Sequence, residues 1–301
     1  MKVAVNTPTG NIGRALTKHL LDAGADVVLL TRSPDKVKQF AERGATVHVG
    51  NLEDADFVVR ATKGVDTLFW LTPPNMATTD FRAHQGKLAD IAVKAIKENK
   101  IPRVVNLSSI GAHLSSGTGP IVGLHDVEKK LDRAGANVTH LRAGFFMENL
   151  FMAAQTIAKD GAVYMPVRAS AQMAMIATRD IARAAADRML DAGWTGRTVI
   201  ELVGPAEVTF EGMTGALSKA LGKQIRFVTT TSDQMRQALT GMGVPPKTAD
   251  LFIEMYGAFD KGKIAPEFPK NTKTGSTTLS VFAEQVYRPG FEAMTKSHAR
   301  V

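Results

Sequence analysis

Through the first half of the chain, short and almost uninterrupted apolar runs alternate with longer segments whose apolar positions recur at helical spacing. Lys2–Val5 and Asp26–Leu30 (DVVLL) read as strands. Their continuous apolarity, rather than strict alternation, suits strands covered on both faces. Between them, Asn11–Ala23 sets Ile12, Ala15, Leu16, His19 and Leu20 along one helical face and stops at Gly24. Ser33–Arg43 reads as a helix with Pro34 in its first turn and Gly44 at its end. The rhythm continues with a strand at Thr46–Val49, a helix at Glu53–Thr62, a strand at Thr67–Leu71 and a long helix at Asp80–Asn99. A strand at Arg103–Leu107, a helix at Asp126–Ala134 and a strand at Val138–Arg142 complete it.

Strands that alternate with helices across short loops must pair in parallel through right-handed crossovers. The pattern therefore predicts an α/β fold with a doubly wound, Rossmann-type parallel sheet, ordered 3-2-1-4-5-6. The second half breaks the rhythm. Phe151–Ala158 and Thr178–Leu190 read as helices, and Thr198–Leu202 as a strand added to the main sheet. After Gly204-Pro205 come short helices, one strand at Ile225–Thr229 and loops rich in Gly, Pro and Thr. This division predicts a sheet domain from residues 1–150 and 175–204, with a smaller α/β lobe from 151–174 and 205–301.

Composition narrows the function more by exclusion than by assertion. Of 301 residues, 44% are hydrophobic and 22% charged, as in an ordinary globular protein. Cysteine is absent, which removes disulfides, thiolate metal sites and cysteine nucleophiles. The 7 histidines include no HExxH spacing, so no metal is expected. No apolar stretch is long enough for a membrane span, and the N-terminus lacks a leader-like apolar region. A cytoplasmic protein is the expectation. The net charge of +8 is spread along the chain, densest at Lys129, Lys130 and Arg133 on a predicted helix. With no basic arm and no zinc-finger spacing, it favours an acidic small ligand over nucleic acid. A homodimer is compatible with the chain.

The first β-α turn carries the chemistry. It reads Asn6-Thr7-Pro8-Thr9-Gly10-Asn11-Ile12-Gly13, after a strand and at the start of a helix, the context of a dinucleotide-binding loop. Gly10 lets the backbone approach a pyrophosphate, Gly13 lets the helix pack on the strand, and the helix N-terminus favours the anion. Thr7 departs from the pattern, standing where a first glycine is usual at the tight turn. At the tip of the second strand stand Thr31, Arg32 and Ser33, with no acidic residue to accept bonds from a ribose 2′-hydroxyl. Arg32, helped by Ser33 and Lys36, instead suits a 2′-phosphate, so the expected cofactor is NADP(H). Asn51 and Leu52 after the third strand are placed to flank the adenine, and Thr72 and Pro73 after the fourth to line the nicotinamide side.

Several segments resemble the NmrA-like branch of atypical short-chain dehydrogenases. They are Asn6–Gly13, Asn106–Ser109, His125–Leu131 (HDVEKKL), Leu141–Asn149 (LRAGFFMEN), Thr178–Ala182 and Glu201–Pro205. The likeness covers residues 1 to about 230, and LRAGFFMEN is its most specific part. It implies nicotinamide cofactor binding. It also implies either hydride transfer to quinones, dyes or other carbonyl-like acceptors, or redox sensing without turnover. It places Gly144, Phe145 and Phe146 near the nicotinamide and the small lobe over the substrate. Phe146, Asn149 and Tyr256, the last because its hydroxyl needs a partner if buried, are the candidate substrate contacts.

Short-chain dehydrogenases use Tyr-x-x-x-Lys with a nearby Ser. Here the matching positions hold His125 and Lys129, on one helical face, with Ser109 past the fifth strand. The Lys, which in that pattern also holds the cofactor ribose, is retained as Lys129, and the Tyr is not. Histidine can donate a proton near neutral pH, so His125, Lys129 and Ser109 are the candidate catalytic residues. The expected function is NADPH-dependent reduction of a quinone or similar planar acceptor. The competing expectation is a regulatory protein that senses NADP(H).

Overall fold

The computed structural model describes residues 1–267 and 271–298, so residues 268–270 and 299–301 of the expected second lobe lie outside the described residues. The strands are β1 (Lys2–Asn6), β2 (Asp26–Thr31), β3 (Thr46–Val49), β4 (Thr67–Leu71), β5 (Arg103–Ser109), β6 (Asn137–Ala143) and β7 (Phe145–Phe146). They continue with β8 (Ala162–Met165), β9 (Gln172–Ile176), β10 (Arg197–Val203), β11 (Glu207–Thr209), β12 (Arg226–Thr229) and β13 (Thr272–Thr274). The helices are α1 (Asn11–Asp22), α2 (Lys38–Ala41), α3 (Ala55–Ala61), α4 (Phe81–Asn99), α5 (Ile121–Asp132) and α6 (Ala154–Asp160). They end with α7 (Thr178–Leu190), α8 (Phe210–Leu221), α9 (Ser232–Gly241), α10 (Pro246–Asp260), α11 (Leu279–Phe282) and α12 (Arg288–His298). Among the described residues no helix is long and apolar enough to cross a membrane.

The main sheet has eight strands in the order β13-β10-β6-β5-β4-β1-β2-β3, all paired in parallel. The six-strand core keeps the expected 3-2-1-4-5-6 order, and β10 extends it as the sequence suggests. The addition of β13, from near the end of the chain, is not signalled by the sequence. Strands β1, β2, β4, β5 and β6 split their apolar residues between two cores, which is why their runs are continuous. Val3 and Val5 face Leu16, Leu20, Ile181 and Ala185 of α1 and α7. Ala4 between them faces the opposite core, with Leu88, Ala92 and Ile96 of α4 and Val127 of α5. Each fully buried Leu, Ile or Val contributes about 1.5–3 kcal/mol.

The remaining chain builds a three-stranded sheet, β11-β9-β7, and a two-stranded one, β12-β8. Its core is aromatic and methionine-rich, around Met147, Met173, Met175, Phe210, Met213, Phe282 and Tyr287. Phe145 and Phe146 link the two parts. Alternation along β7 sends Phe145 to this core and Phe146 to the core of the main sheet.

Three boundaries differ from expectation. Ser33–Arg43 forms only a 3-10 turn at Pro34–Val37 followed by the single turn of α2. Phe151–Ala158 is divided between a 3-10 segment, Met147–Ala153, and α6. Helix α5 starts at Ile121, not Asp126, with Pro120 as N-cap. His125 therefore lies inside the helix rather than at its cap.

Candidate active site

The ends of β1, β2, β3, β4, β5 and β6 share one edge of the sheet, and almost every residue singled out above stands there. Asn6 fixes the first of these ends. It is fully buried, its Nδ2 donates to the Leu71 carbonyl at 2.8 Å, and its Oδ1 accepts from the Leu71 N–H at 2.9 Å. The amide thus stitches β1 to β4 where the backbone ladder stops. Thr7 turns the chain at φ 53°, in the left-handed region that favours glycine. Its Oγ1 is buried without a partner among the described residues. Gly10 caps α1 with no side-chain hydrogen bond, which leaves the first N–H groups of the helix available. A Cβ on Gly13 would stand 2.2 Å from the Thr7 carbonyl oxygen and 2.9 Å from Pro8 Cα, so only glycine lets the helix close on the loop.

This loop tests directly what the sequence suggested. A left-handed non-glycine residue costs about 1–2 kcal/mol, and an unpartnered buried hydroxyl adds to that. Glycine at the same position loses about 0.5–1 kcal/mol in unfolded-chain entropy. Thr7→Gly is therefore expected to stabilise the protein by about 1 kcal/mol, read as an increased urea midpoint. A lowered midpoint would contradict a strained Thr7.

At the tip of β2, Thr31 Oγ1 accepts from the Ser33 N–H at 3.0 Å and shapes the turn. Arg32 and Lys36 are exposed, and neither makes a side-chain ion pair among the described residues. The neighbouring carboxylate, Glu53, is held below the usual range mainly by Lys87, which donates to it at 2.8 Å, and only slightly by Arg32. Arg32 is left free for an anion. Asn51 is exposed, and its Oδ1 accepts from the Glu53 N–H, while Leu52 is half-buried. Beside them Val49 is 58% exposed, an apolar spot at a strand end. Thr72 is buried and accepts from Trp70 Nε1 at 3.2 Å, so it positions Trp70; the half-buried Pro73 follows it.

Helix α5 presents its candidate residues in different directions. His125 Nδ1 bonds the Ala112 carbonyl at 2.8 Å, so the ring nitrogen there carries the hydrogen. Lys129 is exposed and lines, with His125, Arg142, Arg197 and Glu201, a polar cavity of about 400 Å³ beside β6 and β10. Lys130 turns the other way, to Asp90 of α4 at 2.6 Å. The inward residue is Glu128, which the sequence pattern does not set apart from the charges beside it. It is 2% exposed, accepts from Ser108 Oγ at 2.6 Å, and pairs with Arg142 through bonds of 3.0 and 2.8 Å. Arg142 also donates to Glu267 at 2.8 Å. Burial works against the Arg142 charge, yet Glu128 and Glu267 hold its pKa above the usual range. Ser109 Oγ donates to the Ile110 carbonyl, 3.0 Å away, and keeps its acceptor capacity.

Beyond β6, Gly144 lies so close to β9 that a Cβ would meet the Ala174 carbonyl oxygen at 2.3 Å. Phe145 meets Phe259 of α10 edge-on, with centroids 6.3 Å apart. Glu148 caps α7, accepting from the Thr178 N–H at 3.0 Å and from Thr178 Oγ1 at 2.5 Å. Asn149 is half-buried. Tyr256, also on α10, packs against the second core, and desolvation raises the pKa of its hydroxyl. Much of what makes the LRAGFFMEN segment distinctive is thus scaffolding. Arg142 is there for Glu128, and Glu148 for Thr178.

The chain is similar to proteins of related design over nearly its full length. It is 29% identical over 279 residues to an NAD(P)H azoreductase of Xenophilus azovorans, covering 92% of this chain and 94% of that one. It is 26% identical over 290 residues to quinone oxidoreductase 2 of Escherichia coli (strain K12), covering 94% and 97%. The crystal structure of the NADPH-dependent quinone oxidoreductase of Escherichia coli complexed with NADPH superposes with a TM-score of 0.78 at 23% identity, over 95% of this chain and 99% of that one. The NmrA-like family pattern matches residues 1–291. The glycine-loop sheet edge, the buried Glu128–Arg142 pair and the Glu148 cap are therefore features of a protein that belongs to the NmrA-like family.

Proposed function

We propose that the chain is an NADPH-dependent oxidoreductase that reduces a quinone or a similar conjugated, planar carbonyl compound. The observation that carries the cofactor half of this reading is Arg32: an exposed, unpaired guanidinium at the tip of β2, where no acidic residue stands. A guanidinium fork binds phosphate oxygens bidentately. The named activities of the azoreductase and the quinone oxidoreductase support the reaction class.

Thr7, Thr9, Gly10, Asn11, Ile12 and Gly13 would cradle the pyrophosphate, with Arg32, Ser33 and Lys36 on the 2′-phosphate. Asn51 and Leu52 would border the adenine, and Thr72, Pro73, Gly144, Phe145 and Phe146 the nicotinamide end. The unpartnered Thr7 Oγ1 and the uncapped start of α1 fit an anion at this loop. When bound, the reduced cofactor supplies a hydride. The protein's part is to orient the acceptor and to exclude water around the transfer.

Residues 151–174 and 205–301, apart from β13 in the main sheet, would form the substrate side, with Phe146, Asn149 and Tyr256 against the acceptor. Lys129 and Ser109 complete the catalytic set in this proposal. The His125 ring, held through Nδ1–H by the Ala112 carbonyl, donates a proton from Nε2 only when it is the imidazolium. A quinone reduced to its oxyanion can also take its proton from water, so turnover does not depend on that state.

The deciding experiment compares NADPH and NADH for wild type and Arg32→Ala. Loss of a charged hydrogen-bonded pair costs about 1.5–3 kcal/mol. The variant is expected to bind NADPH about 10- to 100-fold more weakly and NADH unchanged. Equal affinity of the wild type for both cofactors would overturn the assignment. A second reading, cofactor sensing without turnover, draws on the missing Tyr and on the tethering of His125. Steady-state NADPH oxidation with a panel of quinones would exclude it.

A further inference from the structure

Helix α10 carries Tyr256 and Phe259, and its two ends are held by different parts of the chain. At its start, Thr248 Oγ1 donates to the Thr78 carbonyl at 2.6 Å, and Phe252 meets Phe81 edge-on with centroids 5.8 Å apart. These contacts fix the helix to the stretch where β4 leads into α4. At its end, Asp260 accepts from the Arg168 N–H at 2.7 Å and from Arg168 Nε at 3.0 Å, which holds the helix to the loop between β8 and β9. That loop belongs to the second part of the chain, so this tie does not reach the main sheet. The chain then leaves the helix and crosses back to the sheet.

Glu267 is where that crossing is tied down. Its Oε2 accepts from Arg142 Nη1 of β6 at 2.8 Å, and His113 Nδ1, from the loop between β5 and α5, stands 3.1 Å from the same oxygen. Its N–H donates to both carboxylate oxygens of the buried Glu201 on β10, at 3.0 and 3.1 Å. Three residues earlier, Ile264 packs with Ile110, Ala112 and Ile121. Pro266 between them restricts the backbone on its N-terminal side, so the connection is stiff. Unequal burial decides what Glu267 does. Its side chain is 48% exposed, whereas Arg142 is 7% exposed and keeps its bonds to Glu128 when Glu267 is removed. No buried charge is then orphaned, so the fold does not depend on Glu267 as it depends on Arg142. What depends on it is how residues 261–267, and the end of α10 before them, sit on the sheet.

We propose that Glu267 is a positioning residue: by strapping residues 261–267 to β6 and β10 it sets the seat of α10 over the strand ends, and with it the fit of the acceptor. Phe259 transmits the position. It meets Phe145 edge-on, and Phe145 follows Gly144, whose approach to β9 leaves no space for a side chain. In a packed contact of this kind a shift of about 1 Å in α10 is passed on rather than absorbed. The glycine loop stands at the end of β1, three strands along the sheet from β6, so the strap acts on the acceptor and not on the dinucleotide. The consequence for the acceptor rests on the oxidoreductase reading; the strap itself does not.

Two measurements on the full chain test this, with Glu267→Ala and with Glu267→Gln, which keeps the size of the side chain and one carbonyl oxygen for Arg142. Hydrogen exchange without cofactor reads the strap. In Glu267→Ala the amides of residues 255–263 are expected to exchange about 10-fold faster, the change in a local opening equilibrium when a charge-assisted bond is lost, while those of α1 are unchanged. Glu267→Gln is expected to fall between this and wild type. Steady-state kinetics with NADPH and a panel of quinones that includes 1,4-naphthoquinone read the consequence. Glu267→Ala is expected to raise the quinone KM roughly 5-fold or more, with kcat within about 2-fold of wild type and NADPH affinity unchanged. Glu267→Gln is expected to restore most of the KM. Unchanged exchange in residues 255–263 overturns the proposal whatever the kinetics show. Faster exchange with an unchanged quinone KM overturns it too, as does faster exchange throughout the main sheet with a parallel loss of NADPH affinity, which would make Glu267 a residue of the fold. If the exchange difference is present and neither wild type nor variant turns over any quinone, the strap stands and the oxidoreductase reading fails.

Discussion

Replacing Arg142 with methionine is expected to destabilise the fold by about 3–5 kcal/mol, the largest loss from any single side chain described above. The cause is less the attraction that is lost than the charge that is left behind. Glu128 is 2% exposed on its side chain and Arg142 7%. Without the guanidinium, the nearly buried Glu128 keeps only the Ser108 hydroxyl as a side-chain partner among the described residues. The double variant Glu128→Leu with Arg142→Met removes both charges together. It is expected to recover to within about 1–2 kcal/mol of wild type, because a buried pair exchanged for apolar residues of like volume is often close to neutral. Urea unfolding of the two singles and the double makes the comparison. A loss in the double variant equal to the sum of the two single losses would mean that the pair is not coupled and that Arg142 acts through packing alone.

The second large effect is on binding. Gly13→Ala is expected to weaken NADPH binding at least 100-fold while circular dichroism shows an intact fold. The added Cβ meets backbone atoms, Thr7 O at 2.2 Å and Pro8 Cα at 2.9 Å, so no rotamer change relieves it and the loop itself must shift. A displacement of about 1 Å in a positioning element is enough to cost two orders of magnitude. Gly10→Ala is the informative partner. Its Cβ would meet nothing nearer than Thr7 O at 3.6 Å, an ordinary contact. Any loss of affinity there reports exclusion of the ligand rather than distortion of the loop. Fluorescence titration of both variants distinguishes these. Unchanged NADPH affinity in Gly13→Ala would remove the glycine loop from the proposed site.

These two experiments also mark where sequence reasoning is strong and where it stops. The six-strand order was legible because runs such as DVVLL and TLFWL have one physical explanation, burial on both faces between helices. The start of α5 was not legible. Its first turn carries Gly123, packed so closely on Gln85 that an added Cβ would stand 1.7 Å from Oε1. The small sheets escaped for another reason. A two-residue strand like Phe145-Phe146 has no periodicity to detect, and its pairing with Met175 and Ile176 is decided by tertiary contacts. In the candidate site, the exposed groups were the easier ones to name. Arg32 follows from the strand-tip rule alone. Asn6 and Glu128 are buried polar residues whose meaning lies in partners far along the chain. The signal that was available was their polarity inside otherwise apolar stretches, as in the last residue of KVAVN.

The late arrival of β13 sets a schedule for synthesis. Residues 272–274 pair with β10, the strand that ends at Val203, so the edge of β10 stays open until some seventy further residues have left the ribosome. An open parallel edge of this kind is a template for pairing with another chain. During that interval the nascent protein can already hold its glycine loop, since β1, α1 and β2 are complete, but it carries an unsealed sheet. Occupancy of the loop and closure of the sheet are thus separated in time. Chains cut short before residue 272 are the ones most exposed to aggregation.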